Sequence, residues 1–306
     1  MISVIVLTYN QEQYIAQTLD GILMQQVDES MEIVIGNDCS TDNTQTICED
    51  YRKRYPNMIR LYYNSPNLGL VQNFIEMVRR CKGEYIALCD GDDYWIDEYK
   101  LQKQVDILRK EANCVLVHTH RTLLSDVEIN QPALDIAIAE SASELFFHSY
   151  ICVPTVLFRA KVLYDWIEEY AKLSIVQDWR MQDFPLWLYL GTKGTFKYIS
   201  ESTAIYRVLP NTLSREINKE KGYRFDKSIM RIKSYFRMYY MNNNESFISR
   251  FREMEFHARK CMLLNYGWIA REQIWPLLKL IPYYPMIFYR GIVRKLKKKL
   301  ICNSQS

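Results

Sequence analysis

The sequence predicts an α/β protein whose mostly parallel sheet is flanked by helices and followed by a helical C-terminal region. Over the first hundred residues, short β-branched runs alternate with longer segments of helical period, the pattern of βαβ units. Polar clusters recur just after those runs, at Thr8-Tyr9-Asn10, Asn37-Asp38-Cys39-Ser40 and Asp90-Gly91-Asp92-Asp93. Beyond about Arg215 strand signals cease, and Met, Tyr, Arg and Lys dominate.

Each element follows from its local pattern. Ile2 to Leu7 reads as a buried strand, and residues 11–25 place Ile15, Leu19, Ile22 and Leu23 on one helical face. Strands follow at Met31 to Ile35, Ile59 to Tyr63 and Glu84 to Cys89, with helices at Asp42 to Tyr55 and Leu70 to Cys81. Further on, Val115 to Thr119 reads as a strand and Val153 to Phe158 as an apolar run. A helix from Asp183 to Leu190 is expected to end at Gly191 and Gly194.

A chain of 306 residues, 48% hydrophobic and 25% charged, can bury a full α/β core and leave a smaller second unit. The net charge of +3 does not call for a nucleic-acid partner. Its eight cysteines are scattered without a CxxC pair, which favours reduced thiols in a cytosolic protein. Met1 leads straight into the first strand without a basic leader, so no export signal is expected. No apolar stretch reaches the roughly 20 residues that span a bilayer.

In open α/β sheets ligands bind at the carboxyl ends of the strands, so the three polar clusters should meet in one crevice. Asp90-Gly91-Asp92 offers hard carboxylate oxygens suited to a divalent cation, and Gly91 allows close approach of a phosphate. The plainer reading of the same residues is a turn that caps the next helix.

Residues 3–10 (Ser-Val-Ile-Val-Leu-Thr-Tyr-Asn), 32–42 (Glu-Ile-Val-Ile-Gly-Asn-Asp-Cys-Ser-Thr-Asp) and 83–95 (Gly-Glu-Tyr-Ile-Ala-Leu-Cys-Asp-Gly-Asp-Asp-Tyr-Trp) together resemble the three blocks of glycosyltransferase family 2. The resemblance is close to about residue 110 and looser to about 215. It implies the GT-A fold, a Rossmann-like sheet, with 1–215 as catalytic domain, 1–110 holding the nucleotide-sugar and 111–215 the acceptor. It implies an inverting transfer from a nucleotide-sugar, UDP-linked by preference, with Mn²⁺ or Mg²⁺ as cofactor. Asp38 would then accept a hydrogen bond from the base, with Thr8, Tyr9 and Asn10 in the same pocket and Asn73 beside the nucleotide. Asp90 would face the ribose or diphosphate, and Asp92 would coordinate the metal. Tyr9 as strand-end packing and Asn73 as a helix-surface amide are the plain alternatives.

The resemblance places Asp93, Trp95 and Trp187 on the acceptor side. Inverting transfer is a direct displacement and needs a base for the acceptor hydroxyl. Asp183 matches the second acid of the family's Glu-Asp-x-x-Leu-Trp motif and is the candidate, with helix N-capping as its plain role. The first acid is Gln182 here. Arg207, in the Tyr206-Arg207 segment, can hold a diphosphate or pair with a nearby carboxylate. The family histidine two residues later is Leu209, which leaves the metal to carboxylate, diphosphate and water. His118 and His120 have the spacing of a transition-metal pair but no zinc-like partners nearby, so packing or hydrogen bonding is expected of them.

Residues 216–306 are expected to be helical and to end in a basic amphipathic tail. Phe288, Ile292, Leu296 and Leu300 recur every four residues among Arg290, Arg294, Lys295, Lys297, Lys298 and Lys299. Such a helix suits the surface of an anionic membrane, and packing on its own domain is the alternative. The expectation is a cytoplasmic enzyme, peripheral at the inner face of the cell membrane, extending a glycan or lipid-linked glycan, with self-association left open. A sugar-nucleotide nucleotidyltransferase would need a Gly-rich basic loop where Thr8 to Glu12 stands. A non-catalytic binder of nucleotide or carbohydrate stays open because of Gln182 and Leu209.

Overall fold

The computed structural model describes residues 1–125, 139–148, 150–170, 179–209, 218–241 and 244–280. The chain divides into two compact units, Met1–Pro210 and Asn211–Ser306. The first half of the first unit runs β1 (Ile2–Thr8), α1 (Ile15–Leu23), β2 (Met31–Asn37), α2 (Thr44–Arg54), β3 (Ile59–Tyr63), α3 (Leu70–Val78) and β4 (Tyr85–Leu88). It continues with β5 (Tyr94–Trp95), α4 (Lys100–Lys110), β6 (Cys114–Leu124), α5 (Ala142–Phe147), a 3₁₀ turn (Val153–Thr155) and β7 (Val156–Arg159). Then come α6 (Ala160–Tyr170), α7 (Asp183–Lys193) and β8 (Thr195–Arg207).

The strands form one eight-stranded sheet in the order β3-β2-β1-β4-β7-β6-β8-β5. β1 to β4 are mutually parallel, β7 is antiparallel to both β4 and β6, β8 runs parallel to β6, and β5 is antiparallel to β8. A central parallel strand is covered on both faces and must be continuously apolar, and every residue of β1 is buried. On one face Val4, Val6, Ile33 and Ile35 pack against Ile15, Leu19 and Ile22 of α1, Cys48 and Tyr51 of α2, and Leu101, Val105 and Leu108 of α4. α3 covers the other face. A Cβ on Gly36 would stand 2.5 Å from Asn73 Oδ1 and 2.6 Å from Met77 Cγ, so glycine is what lets α3 lie directly on β2.

Four elements depart from the sequence expectation. α4 and the long β8 carry too many polar residues to announce themselves; α4 keeps only a narrow apolar stripe, and β8 exists because β6 and β5 pair with its two edges. The apolar run 153–158 splits into a 3₁₀ turn and β7, with Pro154 unable to donate to a strand ladder. α7 continues through Gly191 and stops at Gly194, whose N–H caps the Leu190 carbonyl at 3.2 Å.

The second unit is helical where described: α8 (Lys219–Met241), α9 (Glu245–Tyr266), a 3₁₀ segment (Gly267–Gln273) and α10 (Ile274–Leu280). Tyr223, Met230, Met262 and Ala270 form one small core, and Phe256 packs with Leu277 and Leu280 in another. Among the described residues no helix is long and apolar enough to cross a membrane. The basic amphipathic tail and residues 210–217 lie outside the described residues.

Candidate active site

The loops that leave β1 and β2 are stitched together. Asp38 N–H donates to the Thr8 carbonyl at 2.9 Å, Asn10 N–H to Ser40 Oγ at 3.0 Å, and Thr41 N–H to Asn10 Oδ1 at 2.8 Å. Asn10 and Cys39 both take positive φ, 52° and 65°, so each loop turns sharply at its strand end. Tyr9, just before Asn10, is 50% exposed.

Asp38 is only 4% exposed, and its carboxylate gathers the segment after β3. Oδ1 accepts from Leu68 N–H and Asn64 Nδ2, both at 2.9 Å, and Oδ2 accepts from Gly69 N–H at 2.8 Å. A carboxylate has room for about four such bonds, so Oδ2 can still take one donor. Asn73, expected beside the nucleotide, is interior. Its Nδ2 donates to the Gly36 carbonyl and its Oδ1 accepts from Asn64 Nδ2, each at 2.9 Å. Asn73 thus acts on the pocket through Asn64, the residue that holds Asp38.

The acidic turn sits directly on the end of β1. Gly91 N–H donates to the Leu7 carbonyl at 2.9 Å, and a Cβ on Gly91 would stand 2.9 Å from Thr8 Oγ1. Asp93 N–H closes the turn on the Asp90 carbonyl at 3.0 Å, and the Thr18 hydroxyl lies 2.9 and 2.6 Å from the Gly91 and Asp93 carbonyls. From the end of β8, Arg207 N–H donates to Asp93 Oδ1 at 2.9 Å. The Arg207 guanidinium donates to the Asp92 carbonyl and to Gln17 Oε1, between the rings of Tyr94 at 4.6 Å and Tyr14 at 4.9 Å. Among the described residues the Arg207 guanidinium forms no carboxylate ion pair; the side chain braces the turn.

Electrostatics tie this turn to α7. Burial pushes Asp90 well above the ordinary carboxylate range, and the charges of Asp92 and Asp183 push it further. Asp93 is raised by burial and then by Asp92 and Asp90, while Asp92 is raised by burial against the opposing effect of Arg207 and Gln11. Burial also raises Asp183. Asp183 opens α7 as its first helical residue. Gln182 holds the N-cap position without a side-chain cap bond, and its Oε1 is buried and unpartnered. Thr8 Oγ1 and Gln11 Oε1 are likewise buried without a partner, both at the acidic turn.

No group of three or more His, Cys, Asp or Glu among the described residues forms a ready metal cage. The donor set nonetheless fits a hard divalent cation that keeps few protein ligands: carboxylates that raise one another's pKa are relieved by a cation, which takes its remaining oxygens from phosphate and water. His118 and His120 are otherwise engaged. His118 Nε2 lies 2.9 Å from the Ala139 carbonyl, burial lowers its pKa to about 4, and His120 Nδ1 lies 3.0 Å from the Tyr198 hydroxyl.

Asp93, Trp95 and Trp187, expected on the acceptor side, prove to be interior at 1%, 2% and 0% exposure. Trp95 Nε1 donates to the Pro154 carbonyl at 2.8 Å, and Lys100 Nζ stands 4.3 Å over its ring. Trp187 meets Phe158 edge to face at 5.9 Å. These residues shape the walls that carry Asp92 and Asp183 and present no surface to an acceptor.

The family model for glycosyl transferase family 2 matches residues 3–167. The chain belongs to glycosyltransferase family 2. A Bacillus subtilis protein described as the teichuronic acid biosynthesis glycosyltransferase TuaG is 30% identical over 215 residues, 70% of this chain and 81% of the relative. An uncharacterized protein of Mycobacterium tuberculosis is 33% identical over 208 residues, 67% of this chain; the match spans only 58% of the relative's length. The fold is that of S. aureus TarS 1-349 in complex with UDP-GlcNAc, at a TM-score of 0.59 and 16% identity, covering 85% of this chain and 81% of that one. It is also that of the mannosyltransferase PcManGT from Pyrobaculum calidifontis in complex with GDP-Man and Mn2+, at a TM-score of 0.54 and 16% identity over 94% and 82% of the two chains. These family 2 and GT-A likenesses match the resemblance read from the three sequence blocks.

Sequence reasoning missed residues that brace the site: Gln11, Gln17, Thr18 and Asn64. Gln11 directly follows the β1 polar cluster and was within reach of the same argument. The others carry no local signal, because each acts on a partner far away in sequence.

Proposed function

We propose that this chain transfers a glycosyl group, with inversion, from a nucleoside diphosphate sugar, UDP-linked by preference, to a glycan or lipid-linked glycan in cell-surface polysaccharide synthesis. The observation that carries the reading is the shared field of Asp90, Asp92 and Asp183, at the same end of the sheet as the Asp38 loop. Relatives support it: TuaG is named for teichuronic acid biosynthesis, and the TarS and PcManGT structures hold UDP-GlcNAc or UDP and GDP-Man.

In this reading Asp38 and Tyr9 take the base, with Thr8 and Asn10 shaping the pocket, and Asp90 meets the ribose or diphosphate. Asp92 holds Mn²⁺ or Mg²⁺, which when bound offsets the charge of the departing diphosphate. Asp183 accepts the acceptor hydroxyl's proton, and its raised pKa makes it a stronger base than an exposed aspartate. Arg207 fixes the turn so that Asp92 need not reorganise. Residues 281–306 are assigned to an anionic membrane surface at the cytoplasmic face; binding to anionic vesicles that high salt does not weaken, or no binding at all, counts against that assignment.

The test is a thermal-shift and hydrolysis screen of the full chain with UDP-glucose, UDP-GlcNAc and GDP-mannose, with and without Mn²⁺. A cation-dependent shift with turnover of at least one donor is expected. Nucleotide binding without turnover of any donor or acceptor pair would instead favour the non-catalytic binder.

A further inference from the structure

Arg121 has no part in the site described above, yet it lies beside it. It stands on β6 in register with Ala204 of β8, and Ala204 is in register with Trp95 of β5. Residues directly opposite one another share a face, so Arg121, Ala204 and Trp95 form one row across the sheet, with Tyr206 on the same face two positions along β8. That row reaches the acidic turn, since Trp95 follows Asp93 and Tyr94. Cys152 reports the proximity: burial pushes its thiol up to about 12, Arg121 opposes this, and Asp93, Asp183 and Asp90 add to it. The Tyr206 hydroxyl is raised by burial and then by Cys152, Asp93, Asp92 and Asp90.

Despite these neighbours, Arg121 makes no ion pair or side-chain hydrogen bond among the described residues, and its Nε is buried without a partner. Three other arginines of this unit have partners, although Arg60 Nε is likewise buried without one. Arg207 holds Asp92 and Gln17, Arg159 holds the Cys114 carbonyl at 2.9 Å, and Arg60 pairs with Glu32. A buried guanidinium N–H without an acceptor is costly, and native structures rarely retain one unless something supplies the acceptor. The planar fork of a guanidinium matches carboxylate and phosphate oxygens best.

We propose that Arg121 anchors an oxyanion, a carboxylate or a phosphate, carried by one of the two substrates at the end of the crevice that holds Asp183. The proposal rests on the glycosyl-transfer reading only for what the oxyanion is attached to. Its logic is charge compensation. Asp90, Asp92, Asp93 and Asp183 repel any anionic sugar that approaches the reacting centre, and a neutral sugar would need no cation there. Arg121 supplies the opposite charge on the row that borders them, so the crevice accepts an anionic sugar in one orientation. A specificity-determining role follows, distinct from the proton transfer assigned to Asp183.

The experiment uses the full chain loaded with UDP and Mn²⁺, probed with methyl glucuronide and glycerol 3-phosphate, and with methyl glucoside as neutral control. In the wild-type chain the Arg121 Nε–H resonance is expected to shift with either anionic probe and not with the glucoside. Arg121→Gln should weaken the anionic probes by about tenfold or more, the value of a charge-assisted hydrogen bond, and Arg121→Lys should restore part of the loss. A parallel comparison of UDP-glucuronate with UDP-glucose locates the oxyanion: a loss in Arg121→Gln confined to UDP-glucuronate puts it on the donor, and a loss confined to the acceptor-like probes puts it on the acceptor. An unmoved Nε–H resonance, or equal affinity for charged and neutral probes, overturns the proposal. A chain that turns over no nucleotide-sugar but still binds the probes through Arg121 overturns the proposed transfer and leaves this site standing.

Discussion

The backbone N–H of Arg207 donates to Asp93 Oδ1 at 2.9 Å, so the last residue of β8 is fastened to the acidic turn after β4. The guanidinium adds a bond to the Asp92 carbonyl and lies between two tyrosine rings. Arg207→Ala removes the charged anchor and leaves the Asp92 carbonyl without it, a loss of about 2–4 kcal/mol by the usual value of such bonds. Arg207→Lys keeps the charge but not the fork and should fall between. Unfolding midpoints and cation-stimulated donor turnover should drop together; a variant that loses turnover at unchanged stability would instead point to direct diphosphate contact.

Asp183→Asn should reduce transfer by about 10²–10⁴-fold, the range for loss of a general base, while nucleotide affinity stays near wild type. Because burial raises Asp183, the acid limb of its kcat/KM profile should lie above the ordinary aspartate range. Activity falls as pH drops through that raised value and the base becomes protonated. A limb at an ordinary aspartate pKa, or one that persists in the variant, assigns the proton transfer elsewhere.

The acidic turn should make stability depend on pH and on cation in a defined sense. Asp90 and Asp93 have folded pKa values above their unfolded ones, so the folded state favours their protonated forms. Their contribution is fully present below the unfolded value of about 3.9 and is lost as pH rises through the raised folded values. At pH 7.5 Mn²⁺ should therefore raise Tm, and at pH 5 it should do so less. Asp90→Asn should raise Tm without cation, and Asp92→Ala should remove most of the Mn²⁺ increment. Equal Mn²⁺ increments in wild type and Asp92→Ala would contradict the metal assignment.

Asn73→Ala leaves the buried Gly36 carbonyl and Asn64 amide without their partner, at a cost of about 1–3 kcal/mol. Since Asn64 also holds Asp38, nucleotide KM should rise with little change in kcat. A fall in kcat at constant KM would mean that Asn73 meets the reacting groups directly.

Sequence alone settled the parts of this protein whose information is local. The continuous apolar run of β1 specifies a strand buried on both faces, the spacing of Ile15, Leu19 and Ile22 specifies a helix face, and a polar cluster after each parallel strand lands at the strands' carboxyl ends because chain direction fixes where a strand stops. The position of Thr8, Tyr9, Asn10, Asp38, Asp90 and Asp92 at that end of the sheet was legible for that reason. What tertiary structure decided is which of the candidates are packed into the wall of the crevice. Trp95 and Trp187 were expected on the acceptor side, but an aromatic ring sheds most water when packed against a sheet, and both went inside. Asn73 and Arg207 are polar and near the site, yet their hydrogen bonds run to main-chain carbonyls that only the folded chain brings within reach. Arg121 was silent in the sequence for the converse reason: a lone arginine in a strand says nothing until its neighbours are known. The partner it lacks can be seen only once the sheet has placed β6 beside β8 and the acidic turn beside Cys152.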